Sequence, residues 1–276
     1  MQNSLTASLG TIGATQVRFL YGLPFALLFL GIVVAVTGAD VPAANATFIA
    51  FTASGAVAQI FGTVLLLAAM RERSFSVATA FTKTEAVQVA IFGLLILGDH
   101  LSVVRAAAIV VATAGVFLIA VKAGEKWDAR SLRPALYGVA SGGLYAMAAI
   151  GFRGGILALD DGAYFMRATT TLVWSLAFQT LLLGAWMWAF DRAGLFKSFA
   201  LWRQSLFAGF MGAFASQFWF LGFSLTAAAN VRTLGLIEVL FAQAVARRLF
   251  GQQTAAREIA GISLVVAGVA MLLVSV

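Results

Sequence analysis

The sequence predicts an all-α polytopic membrane protein, on three observations. Hydrophobic residues make up 62% of the 276 and charged residues 11%, with a mean hydropathy of +0.97, far above soluble-domain usage. Apolar runs of roughly 20 residues, the length a helix needs to cross a hydrocarbon core, follow one another almost without interruption. The connectors between them are short and hold turn or polar residues. A soluble chain of this size buries one core and could not hide so many apolar runs. Lipid offers a backbone no hydrogen bonds, so the spans are helices or a closed barrel, and the lack of alternating polarity selects helices.

A window of about 19 residues resolves nine spans. The first, 13–37, ends before Gly38, Asp40 and Pro42; the second, 46–70, is closed by Arg71 and Arg73; the third, 75–97, meets Gly98, Asp99 and His100. The fourth covers 101–121. The fifth, 133–156, is separated from the sixth, 163–190, by Asp160, Asp161 and Gly162. The seventh is 204–223, the eighth, 226–249, stops before Gly251, Gln252 and Gln253, and the ninth covers 256–275. Small residues four apart, Gly138 with Gly142 and Gly151 with Gly155, let backbones approach closely.

With no cysteine and one histidine, disulfide frameworks, thiolate metal sites and cysteine nucleophiles are excluded. No phosphate-cradling loop, metal-ligand cluster or nucleophile with its base appears, so neither an enzyme nor nucleotide-driven transport is indicated, and no cofactor is implied. The net charge of +7 sits mostly in connectors, which speaks for orientation in a membrane and against nucleic acid. Arg71, Arg73, Lys122, Lys126, Arg130, Arg133, Arg192, Lys197, Arg203, Arg247, Arg248 and Arg257 fall on one side; Arg105 and Arg153 alone fall near connectors of the other. The first side is therefore cytoplasmic, with Met1 inside and Val276 outside.

The chain also repeats itself. An offset of 153 sets Glu85 over Glu238, Gly98 over Gly251, Ile109 over Ile262, and Ala114, Gly115 and Val116 over Ala267, Gly268 and Val269. Val17 and Arg18 match Met166 and Arg167 at an offset of 149. Extended backwards, the match pairs the helix at 133–156 with residues that would precede Met1. The expected organisation is thus a first repeat of four helices over 1–121, a basic connector over 122–132, and a second repeat of five over 133–276. The first repeat then lacks its leading helix, and ten helices are expected in full. An odd number per half makes the two repeats inverted in the membrane.

Two stretches, TEAVQVAIFGLLILGDHLSVVRAAAIVVATAGVFLI and IEVLFAQAVARRLFGQQTAAREIAGISLVVAGVAMLL, each resemble the end of an EamA domain of the drug/metabolite transporter superfamily. The resemblance implies ten helices around a central cavity, with both termini cytoplasmic. Family repeats commonly show Glu-Pro where this chain has Glu85-Ala86 and Glu238-Val239, and a glutamate where it has Asp99 and Gln252. The missing prolines argue against a kink or broken helix at those points.

Glu85 lies ten residues beyond Phe75, about 15 Å along a helix, and Glu238 twelve beyond Thr226, about 18 Å, so both fall near the middle of a hydrocarbon core. Buried acids in a membrane face the bundle or a wet cavity, serving either as inter-helix glue or in substrate binding and proton coupling. Glu85 shares a face with Phe81, Thr82 and Gln88. Lys83 points roughly 200° away and needs another partner: a carboxylate on a facing helix, a carbonyl, or an anionic substrate. In the related triose-phosphate and nucleotide-sugar carriers a lysine on the corresponding helix reaches the substrate phosphate, and FTKTE looks similar. The counterpart of Lys83 is Leu236, so no second cation matches it. Asn230 and Arg232 cap the helix carrying Glu238 or guard a mouth. Arg18 and Arg167 sit near helix ends, where snorkelling to headgroups competes with cavity exposure. Tyr145, Trp174, Gln217 and Trp219 are candidates to line a cavity, and His100 reads as a loop residue.

The expected function is a secondary transporter of small metabolites in the cytoplasmic (inner) membrane, an exporter or exchanger working by alternating access. A lipid-handling flippase and a non-transporting assembly subunit are the alternatives. The expected partners are a small-molecule substrate and the bilayer, with a homodimer left open.

Overall fold

The computed structural model describes residues 2–72, 81–120, 129–238, 240–241 and 256–275. All its described elements are helical: α1 (Gln2–Leu20), α2 (Leu23–Thr37), α3 (Ala46–Glu72), α4 (Glu85–Phe92, continuing as a π-helical turn Gly93–Leu97), α5 (Val103–Ala120), α6 (Ala129–Ala158), α7 (Tyr164–Phe190), α8 (Arg192–Ala200), α9 (Trp202–Leu225), α10 (Ala228–Gly235) and α11 (Ala256–Val274). Among the described residues six segments are long and apolar enough to cross a membrane: Ile12–Thr37, Ala46–Met70, Ala135–Ala158, Tyr164–Phe190, Trp202–Leu225 and Ala256–Val274. Glu85–Leu97 and Val103–Ile119 are shorter apolar helices. Large side chains such as Val36, Leu95, Val103 and Phe190 stay uncovered, as an outer surface solvated by lipid allows. The chain is a multi-pass membrane protein.

Among the described residues three of the nine expected spans are interrupted. The span at 13–37 breaks at Tyr21 and Gly22, because Pro24 in the first turn of α2 has no N–H to give the carbonyl of Leu20. The spans at 75–97 and 226–249 each break beside their acid. Residues 73–80, 239 and 242–255, with the expected connector at Gly251 to Gln253, lie outside the described residues, as do Lys122 and Lys126. The rest of 121–128 lies outside them too; the described end of the connector, 129–132 with Arg130, is the start of α6, which runs on through Arg133. The stretch between 190 and 204, expected as a loop, holds α8, which is too short and polar to register as a span. Asp191 starts it by accepting a hydrogen bond from the Gly194 N–H at 3.0 Å.

The chain forms two compact units, Met1–Val64 with Met147–Thr226, and Leu65–Ala146 with Ala227–Val276. In the first, the hydroxyl of Tyr21 donates to the Ser198 carbonyl at 3.1 Å, fastening the α1–α2 break to α8. Phe25, Phe29, Phe210 and Phe214 pack as a ladder of rings between α2 and α9. A Cβ on Gly151 would come within 2.7 Å of Gly55, which is the close approach expected of the small residues in α6. Arg153 donates to the Phe223 and Thr226 carbonyls at 2.7 and 2.5 Å, satisfying the C-terminal end of α9.

In the second unit α5 and α11 touch backbone to backbone. A Cβ on Gly115 would lie 2.6 Å from the Gly261 oxygen and 2.7 Å from the Val265 nitrogen; one on Gly268 would lie 2.7 Å from the Ala108 oxygen and 2.6 Å from the Ala112 nitrogen. The offset of 153 carries Ala108, Ala112 and Gly115 onto Gly261, Val265 and Gly268, so the two sets of contacts are the same set read twice. Contacts that rise along α5 descend along α11, which makes the helices antiparallel. This is the self-complementary pattern of a two-fold interface, realised within one chain. Arg105 donates to the Ser275 carbonyl at 3.0 Å just beyond α11. The two cations counted on the sparse side thus both serve helix ends.

A Gly115→Leu variant should lower the detergent unfolding temperature by the equivalent of about 1–3 kcal/mol or more, because neither backbone can retreat. Gly31→Ala in α2, where nothing lies within 4 Å, should be neutral or slightly stabilising. Equal tolerance of both would contradict the backbone contact.

Candidate functional site

The site is built on two helix breaks in the second unit. Phe81 and Thr82 are helical, Lys83 and Thr84 form a turn, and α4 begins at Glu85. The N–H of Thr84 bonds the Phe81 carbonyl at 3.2 Å, while the N–H groups of Val87 and Gln88 both bond the Thr84 carbonyl at 3.1 Å. One offset of 153 later, α10 ends at Gly235, Leu236 and Ile237 form a turn, and helix resumes at Glu238. There the N–H of Ile237 bonds the Leu234 carbonyl at 3.1 Å, and those of Leu240 and Phe241 bond the Ile237 carbonyl at 2.9 and 3.4 Å. In these three bonds each donor and acceptor has its counterpart. Each glutamate therefore opens a new helical segment, where the N–H ends favour a carboxylate.

These breaks correct the expectation drawn from the missing prolines. In the first copy, side chains take over the loosened backbone. The Thr84 hydroxyl donates to the Phe81 carbonyl at 2.7 Å, and Gln88 Nε2 donates to Thr84 Oγ1 at 2.9 Å and to the Val139 carbonyl at 3.2 Å. Gly142 of α6 admits the break: a Cβ there would sit 2.8 Å from the Thr82 oxygen and 3.2 Å from the Glu85 nitrogen. A hydroxyl, an amide and a glycine achieve what a proline signature would have announced.

The charges pair crosswise. Glu85 Oε1 lies 2.9 Å from Arg232 Nε, with side chains 10% and 15% exposed, and Lys83 Nζ pairs with Glu238, whose side chain is 56% exposed. Lys83 thus finds a carboxylate on a facing helix, as its lack of a same-face partner required. The second cation is Arg232, one helical turn before Leu236, and so is missed when the copies are compared position by position. The two pairs differ in weight. Removing one partner of a buried pair strands the other, at about 3–5 kcal/mol; in the second pair Glu238 is the more open side chain, while Lys83 is only 18% exposed.

Of the other sequence candidates, Asn230 is buried on α10 two residues from Arg232, and Tyr145 stands half-buried on α6 one turn after Gly142. Arg18, Gln217 and Trp219 belong to the first unit. Gln217 Nε2 donates to Thr169 Oγ1 at 2.8 Å, and the Trp219 ring lies 6.3 Å from that of Phe223. Trp174 packs edge-on against Phe48 at 5.7 Å. The carbonyl of exposed His100 accepts from Arg105 at 3.4 Å. Among the described residues no group of histidine, aspartate and glutamate could hold a metal ion.

Glu85→Gln and Arg232→Gln should each destabilise the chain by about 3 kcal/mol, whereas the double variant should lose less than the sum. Thermal unfolding in detergent reads this, and strict additivity would show that the two side chains do not interact.

Residues 1–121 match the model of the EamA-like transporter family. A protein solved by crystallography shares the fold at a TM-score of 0.74 and 12% identity, with 99% of this chain and 90% of that chain covered. No curated protein matches the chain. Residues 1–121 are thus similar in sequence to the EamA-like transporter family, as the resemblance implied, and the chain as a whole shares its fold with the solved protein.

Proposed function

We propose that the chain is a secondary carrier that exports or exchanges a small metabolite across the cytoplasmic membrane by alternating access. In this reading nine spans form two inverted repeats, 1–121 and 133–276, joined by the basic connector. The observation that carries it is the doubled helix break, with an acid after each turn and a cation from the other copy against each acid. Interrupted helices at matching points of inverted repeats are how carriers present helix ends and unpaired groups to a substrate inside lipid. The antiparallel, reciprocal contacts of α5 and α11 support the inversion.

The unequal ion pairs suggest a division of labour. Glu85 and Arg232 anchor the two breaks, because separating them strands a buried charge. Lys83 and Glu238 are the pair that opens, since Glu238 is the more exposed of the two acids and a substrate anion on Lys83 or a proton on Glu238 would compensate for parting them. A carrier needs such a switch beside a fixed hinge. Comparing metabolites in the medium of cells with and without the gene supplies the substrate. Counterflow in proteoliposomes then tests the roles: Glu238→Gln should keep the wild-type unfolding temperature within a few degrees and slow exchange about tenfold or more. Wild-type exchange by both Glu85→Gln and Glu238→Gln would remove the acids from the mechanism.

A further inference from the structure

We propose that α8 is a docking surface for the headgroups of anionic phospholipids. The inference concerns the bilayer around the first unit and is independent of what the chain carries. α8 joins the end of α7 to the start of α9, and both of those helices are long and apolar enough to cross a membrane. It therefore lies where two spans leave the hydrocarbon, and its nine residues, about 14 Å of helix, are too few to cross. Leu195 and Ser198 face inward and are buried, and the Tyr21 hydroxyl holds the Ser198 carbonyl at 3.1 Å, so one side of the helix is fixed to the bundle. The other side is open. Arg192, Phe196 and Phe199, at i, i+4 and i+7, share it, with exposed Lys197 beside them.

Rings and cations are interleaved on this face. Trp188, Phe190, Phe196, Phe199 and Trp202 are each about half exposed or more. The Arg192 guanidinium lies 4.9 Å from the centre of the Trp188 ring, and its Nε donates to the Trp188 carbonyl at 2.9 Å. The guanidinium of Arg203, also exposed, lies 5.3 Å from the centre of the Trp202 ring. Among the described residues neither guanidinium is paired with a carboxylate. Seated on a ring, each keeps outward N–H groups for an acceptor. Asp191, the one acid between 186 and 204, accepts from the Gly194 N–H that starts α8. Three cations to one acid, set among rings at the edge of the hydrocarbon, match a phosphodiester bearing acyl chains: its oxygens meet the cations and its chains the rings. A zwitterionic headgroup brings a cation of its own and gains less. A second copy docked here about a two-fold axis would set the same three cations against themselves.

The test follows thermal unfolding of the full chain in detergent as dioleoyl phosphatidylglycerol, dioleoyl phosphatidylcholine or glycerol phosphate is added. Phosphatidylglycerol should stabilise the wild type more than phosphatidylcholine, and the soluble glycerol phosphate not at all. Arg192→Gln, Lys197→Gln and Arg203→Gln should each weaken the apparent affinity for phosphatidylglycerol about fivefold, and the triple variant should respond to both lipids alike. Because Arg192 also holds the end of α7, lipids are compared within each variant, so a change in lipid-free stability drops out. Arg130→Gln combined with Arg133→Gln, which removes two cations from the start of α6, should keep the preference. Equal stabilisation of the wild type by both lipids, a preference retained by the triple variant, or one lost as fully with Arg130 and Arg133 overturns the inference. Stabilisation by glycerol phosphate equal to that by the lipid would replace the membrane surface with a site for free phosphate. A concentration-dependent dimer that the triple variant abolishes would give the face to a second copy, and either result also overturns the proposal.

Discussion

A helix inside a hydrocarbon layer must satisfy its own backbone, and at Lys83–Thr84 and Leu236–Ile237 this chain suspends that rule twice, at matching points. The features of the second unit follow from meeting the resulting demand. Thr84 and Gln88 supply hydrogen bonds at the first break, Gly142 lets α6 close over it, and the acids at the restarts meet helix N-termini and cations. A break without such support would cost several kcal/mol for each stranded polar group.

Symmetry and asymmetry do different work. The glycine and alanine contacts of α5 and α11 repeat atom for atom under one offset, and a self-complementary surface of that kind tolerates few changes. The charges do not repeat. Leu236 stands where the copy has Lys83, and the second cation enters from one turn away at Arg232. The outcome is one closed pair and one open pair on otherwise equivalent scaffolds. A perfectly symmetric arrangement would make both pairs equally hard to part.

Much of the helical order was legible because lipid imposes a simple rule on composition: runs of apolar residues become helices, and Gly98 or Asp160 and Asp161 mark where they stop. Gly98 ends the π-helical turn with φ 68°, a left-handed cap that glycine adopts readily. The offset was legible for the same reason, since small residues at contacts leave a visible pattern. The breaks beside Glu85 and Glu238 were not, because they depend on a hydroxyl, an amide and a glycine from another helix instead of on proline. Arg232 stood out as a cap or a guard of a mouth but not as the second cation, because position matching ignores the helical turn, through which a side chain four residues away covers the same face. The short helix α8 was hidden by its polarity, although Asp191 three residues before Gly194 was there to be read as a cap.

The central claim is that Lys83 and Glu238 form the contact whose parting accompanies transport. Exchanging the two charges tests it most directly: proteoliposome exchange rates of Lys83→Glu, Glu238→Lys and the combined variant, each reconstituted at equal protein. The account predicts that each reversal alone abolishes most of the exchange, because like charges then face each other, and that the combination restores a substantial part of it. A combined variant no faster than the slower single reversal, at an unfolding temperature equal to the wild type, would contradict it.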